Sequence, residues 1–163
     1  MEDAVPPPSA PADVVRAVAA GVSRLISGDL TEQETQAQVD HLAGLYAEHT
    51  DVRHPFAPMG DTPLRTRAEL RRHFANGPAQ AQGADRVAAV GHVHETADPE
   101  VVVFEFSYEG SANGRPFTVP CLFVTRVRDG AIVESRDYVD HVGLARAFGR
   151  LDNLATALAA DSP

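Results

Sequence analysis

Cys121 is the only cysteine, so no internal disulfide can form, and no Cys/His spacing resembles a zinc site. A reducing, cytoplasmic setting is the natural reading. No stretch approaches the roughly 20 apolar residues that a membrane span requires. Basic charge is also scarce. Against 23 acidic residues stand 14 basic ones, a net charge of −9, whereas a nucleic-acid surface needs clustered Lys and Arg. The one basic patch, Arg65, Arg67, Arg71 and Arg72, reads as the solvated face of a helix. Met1 to Ala12 holds four prolines and two acids but no basic start and no apolar run. It is therefore not a signal peptide, and it reads as a loose N-terminal arm ahead of a single domain spanning 13–160.

What is present suits a globular domain. The 163 residues, 44% hydrophobic and 23% charged, can bury a core without a disulfide or metal. Val14, Val15, Val18, Val22, Leu25 and Ile26 recur at helical spacing, and Ser27-Gly28-Asp29 closes that helix. Thr31 with Glu34 forms a capping box that opens a second helix, whose apolar stripe is Val39, Leu42, Ala43, Leu45 and Tyr46. The span 50–66 reads as a loop with at most one short strand. Thr66 with Glu69 is a second capping box, and Asn76-Gly77-Pro78 ends the helix it opens.

The second half changes period. The runs 87–93, 101–108, 117–127 and 131–139 read as strands, the last two joined by a tight turn at Arg128-Asp129-Gly130. A final helix is expected from about Leu144 to Ala160. Helices followed by an antiparallel meander give an α+β fold with helices on one sheet face. The run 101–108 alternates Val102, Phe104, Phe106 and Tyr108 with Val101, Val103, Glu105 and Ser107. Apolar residues on both faces imply burial on both, one side against helices and the other against a cavity or a partner subunit.

The segment Ile132-Val133-Glu134-Ser135-Arg136-Asp137-Tyr138-Val139-Asp140-His141-Val142-Gly143-Leu144, ending in Ala147-Phe148-Gly149, resembles the last strand and turn of SnoaL-like polyketide cyclases. Limonene epoxide hydrolases carry a similar Arg-Asp-aromatic-x-Asp run. The passage from Leu45 through His49 to His54-Pro55 is similar to the same superfamily, which includes ketosteroid isomerase. The resemblance implies an NTF2-like cone, N-terminal helices packed on a strongly curved sheet that encloses a pocket. It implies a cofactor-independent acid/base enzyme (cyclase, isomerase or epoxide hydrolase) acting on a hydrophobic polyketide- or terpenoid-like molecule, or else a non-catalytic binding or dimerisation module. Asp137 falls on the family's acid/base position. His54 falls on the loop position before the proline. The isomerase's oxyanion aspartate falls on Pro120, the hydrolase's Arg and Asp fall near Phe106 and Tyr108, and the cyclases' histidine falls on Phe123.

The residues themselves point the same way. Strand alternation sets Asp137 with Val133, Ser135 and Val139, away from Glu134, Arg136 and Tyr138. A carboxylate among apolar side chains is poorly solvated, which raises its pKa toward the range of a proton-transfer group. The alternative is a structural salt bridge with an arginine. His54 titrates near neutrality, and Pro55 biases its backbone to an extended form. The Tyr108 hydroxyl can polarise a substrate oxygen; the alternative is an ordinary core aromatic with a satisfied hydroxyl. Tyr46, Phe56, Phe104, Phe106 and Phe123 are expected to line the substrate site. No metal is expected: His92 and His94 lack a third ligand, and Asp137 and Asp140 point to opposite strand faces. Asp140 reads as a helix cap, and Glu105 as the partner of an arginine. A homodimer is expected, one that needs no nucleic acid or membrane.

Overall fold

The computed structural model describes residues 10–160 of the chain. The first helix, α1 (Pro11–Ile26), begins earlier than expected, because Pro11 occupies the first turn, where an amide N–H would have no partner in any case. Pro11 and Ala12 thus belong to the helix. The rest of the expected arm, 1–9, lies outside the described residues. The capping box of α2 (Glu32–Gly44) is present in full. Glu34 N–H donates to Thr31 Oγ1, and Thr31 N–H donates to the Glu34 carboxylate at 2.8 Å. Thr31→Ala should destabilise the fold by about 1 kcal/mol, read from urea unfolding midpoints.

Tyr46 does not extend the stripe of α2. The helix ends at Gly44, and Tyr46 opens β1 (Tyr46–Arg53), which runs parallel to the last strand. The reason is tertiary: Ile132 N–H donates to the Leu45 carbonyl at 2.9 Å and draws the chain into the sheet. After β2 (Leu64–Thr66), the second capping box opens α3 (Arg67–Ala75), and a short α4 (Gly77–Gln80) follows. The long strands β3 (Ala84–Glu95), β4 (Val101–Ala112), β5 (Arg115–Arg128) and β6 (Ala131–Val139) form an antiparallel meander. Asn113-Gly114 and Asp129-Gly130, all at positive φ, make its two tightest turns. The expected final helix is two helices, α5 (His141–Ala147) and α6 (Leu151–Ala160), separated at Gly149 with φ +66°. No residue of α6 is buried.

The six strands form one mixed sheet in the order β2-β1-β6-β5-β4-β3, and the architecture is the expected α+β one. Val102, Phe104, Phe106 and Tyr108 face inward, where they join Val15 and Ala19 of α1 in the core. A second cluster joins α1, α2 and α3 to Val52 and Ile132. At Gly91 the strands crowd, since an added Cβ would lie 2.1 Å from the Glu105 carbonyl oxygen. Among the described residues no helix covers the outer sheet face. It presents Leu122, Val124 and Tyr138, half-buried, and Val90, 53% exposed. On this face Glu105 pairs with His94 at 3.1 Å, not with an arginine. Arg71 of the basic patch is paired too, tying α3 to Asp40 of α2 at 2.6 Å.

Candidate active site

Asp137 sits near the C-terminal end of β6, opposite Phe123 of β5. Between Ile132 and Glu134 the pairing with β5 skips a residue, so a bulge sets Ile132, not Val133, on the inner face with Ser135 and Asp137. The inner row reads Thr125, Ser135, Asp137: the two hydroxyls lie 3.0 Å apart, and Ser135 Oγ donates to Asp137 Oδ1 at 2.5 Å. Arg136 turns the other way, with Nη2 2.8 Å from Asp51 Oδ2 on the outer side. Among the described residues Asp137 therefore has no arginine within ion-pair distance. It is only 6% exposed, and burial raises its pKa to about 7, with the Ser135 hydrogen bond and the Arg136 charge pulling in the opposite direction.

A cavity of about 590 Å³ lies between the inner sheet face and the helices, and Asp137 lines it. Its wall is mostly apolar, from Val18 and Val22 of α1, Leu70 and Phe74 of α3, Phe123 of β5 and Leu144 of α5. His54 also lines it, half-buried, with Nε2 3.8 Å from Asp137 Oδ2. That distance is beyond a direct hydrogen bond but close enough for one shared water or substrate atom. The loop that carries His54 is held by Asp61, whose carboxylate accepts the His54 backbone N–H at 2.8 Å. Burial, followed by the neighbouring His73 and His141, lowers the His54 pKa to about 4, so the ring is neutral at pH 7.

Tyr108 and Tyr46 both line the cavity, and burial followed by the Asp137 charge raises the pKa of Tyr46. Burial raises that of Tyr108 as well. Both therefore remain neutral hydrogen-bond donors. Among the described residues nothing is hydrogen-bonded to either hydroxyl. Phe123 also lines the cavity, but Phe104 and Phe106 do not. They stack behind the wall, ring centres 4.3 Å apart, and Phe106 buttresses Tyr108 and Phe123 edge-on. Phe56 is likewise misplaced by the sequence reading. It is 67% exposed and lies on the outer side against Tyr138, because the loop after His54 turns back at Ala57, whose N–H donates to the His54 carbonyl.

Two histidines in the site were not anticipated. His73 lies three residues after Leu70 on the inward stripe of α3, and its ring centre is 5.3 Å from that of His54. The residue as a whole is exposed, yet the protein packed around its ring lowers its pKa. His141 opens α5 behind the Asp140 cap, which accepts the Gly143 N–H at 2.8 Å. Its Nε2 is buried and has no hydrogen-bond partner among the described residues. The i+3 spacing of His73 from Leu70 was a readable signal; nothing in the sequence marked His141 as pocket-facing. Among the described residues no three His, Cys, Asp or Glu side chains are grouped as metal ligands. No helix among the described residues is long and apolar enough to cross a membrane.

The chain matches the SnoaL-like domain family over residues 29–135. It is 29% identical over 108 residues to the uncharacterized protein YesE of Bacillus subtilis, an alignment covering 64% of this chain and 72% of that one. In three dimensions it resembles a Bacillus subtilis protein provisionally named an isomerase, with TM-score 0.65 and 22% identity over 85% of this chain and 92% of the other. It also resembles a Catenulispora acidiphila protein with a ketosteroid isomerase-like fold, solved with trimethylamine, at TM-score 0.60 and 20% identity over 84% and 92% of the two chains. The fold is thus the NTF2-like one.

Proposed function

We propose, from the premise that this chain belongs to the SnoaL-like domain family, that it is a cofactor-independent enzyme of proton transfer on a lipophilic carbonyl compound. The observation that carries the proposal is Asp137: a buried carboxyl without an arginine, titrating near 7, at the edge of an apolar cavity. Its Oδ1 is occupied by Ser135, which leaves Oδ2 for the substrate.

The carboxylate takes a proton from the carbon next to a substrate carbonyl. The electron pair moves onto the carbonyl oxygen, giving an enol or enolate. Neutral Tyr108, Tyr46 and His54 are donors suited to that oxygen. Asp137 then returns the proton to a different carbon, which is isomerisation, or to the oxygen formed when the enolate carbon attacks a second carbonyl, which is cyclisation. The apolar wall excludes water and fixes the reacting carbon.

The test is a screen of lipophilic ketones and 1,3-dicarbonyl compounds in D2O for protein-dependent deuterium uptake beside the carbonyl. Binding without uptake across the panel would leave a small-molecule-binding module. Cys121 takes no part, since burial followed by Asp137 and Asp140 raises its thiol to about 12. The open outer face, with Val90, Leu122, Val124 and Tyr138, fits a second copy of the chain. Light scattering should therefore give twice the chain mass, and Val90→Glu should return it to the monomer value.

A further inference from the structure

At neutral pH two formally charged side chains line the main cavity, Asp137 at its buried end and Arg150 at its solvent end. Arg150 is one of six arginines with no ion pair to an acid among the described residues, and the one of them that lines the cavity. Eight arginines, among them Arg53, Arg126 and Arg136, are ion-paired with acids. Arg150 has no acidic partner among the described residues. Its single side-chain bond runs from Nη1 to the Gln80 carbonyl at 3.0 Å, across the mouth from α4, and leaves Nε and Nη2 unused. Its backbone is held in place: the N–H donates to the Ala145 carbonyl at 2.7 Å, and the carbonyl accepts the Leu154 N–H at 3.0 Å. Asn153 lines the mouth beside it. Between the two charged side chains the wall is mostly apolar, its polar groups being neutral ones such as Tyr46, Tyr108 and His54.

We propose that Arg150 is the anchor for a carboxylate on the ligand, so that the substrate is a lipophilic acid with its carboxylate at the mouth and its reacting carbonyl beside Asp137. The unused guanidinium N–H groups match a carboxylate in a way that a neutral oxygen cannot reproduce. A cavity of about 590 Å³ is of the size that takes a small organic ligand, and both charged side chains line it. The inference rests on the cavity being the substrate site, but its test does not need turnover.

Decanoic acid and methyl decanoate, equal in chain length, should be titrated against a neutral lipophilic dye bound to the full-length protein. The acid should displace the dye at roughly tenfold lower concentration than the ester, and added salt should narrow the gap. Arg150→Gln should weaken the acid by about tenfold and leave the ester unchanged, with Arg150→Lys in between. Equal affinity of acid and ester overturns the proposal, and so does a loss in Arg150→Gln that falls equally on both. If neither probe displaces the dye, the cavity reading falls with it. Asp137→Asn should retain the full preference for the acid. Preference without any proton exchange would therefore remove the catalytic reading and keep the anchor.

Discussion

Asp137→Asn is expected to lower proton exchange beside a substrate carbonyl by roughly a thousandfold while leaving ligand affinity nearly unchanged. The amide has the shape of the carboxyl and can accept the Ser135 hydroxyl as Asp137 does, so the cavity should persist. It cannot take up a proton near neutrality, so the step itself should stop. In the proposed mechanism the carboxylate form is the active one. The rate should fall as pH drops below about 7, where burial holds the carboxyl protonated. Ser135→Ala removes a hydrogen bond that favours the charged form and should move the midpoint of that profile upward. A pH–rate curve that ignores Ser135, or Asp137→Asn protein with wild-type exchange, would remove Asp137 from the chemistry.

The second large effect is on stability. Asp137 has its folded pKa raised from 3.8 to about 7, so the stability linked to it is fully present below pH 3.8 and is lost as pH rises to 7. At 1.36 kcal/mol per pKa unit this is up to about 4 kcal/mol. His54 has its folded pKa lowered from 6.5 to about 4, and the sign reverses: its stability is present above 6.5 and is lost as pH falls through 4, up to about 3 kcal/mol. The two nearly cancel in the wild type, and single substitutions separate them. Urea unfolding at stepped pH should show Asp137→Asn gaining on the wild type as pH rises from 4 to 7. It should show His54→Gln losing ground from 4 to 6.5. A flat difference curve for Asp137→Asn would mean that the carboxyl is better solvated than its burial implies.

Elements whose ends are set by local chemistry were readable in advance. Both capping boxes, the Asp129-Gly130 turn and the alternation of 101–108 depend on neighbours a few residues apart. The loss of Tyr46 from α2 to β1 was not readable, because it depends on Ile132, far along the chain. The same holds for the site. Period two pointed Asp137 inward correctly, yet it placed Val133 beside it and missed the bulge. Period two also sent Phe104 and Phe106 to the right face without telling pocket wall from the layer behind it. That distinction depends on where α1 lies across the sheet. Phe56 failed for a simpler reason: a loop has no period to read.

The cavity's two sides differ in firmness. Behind Asp137 stand strands bonded on both edges and backed by stacked rings, while across the mouth lies α6, a helix with nothing buried. Such a helix lifts at little free-energy cost. The protein would then hold the ligand end beside Asp137 firmly, while the mouth adjusts to ligands of different length.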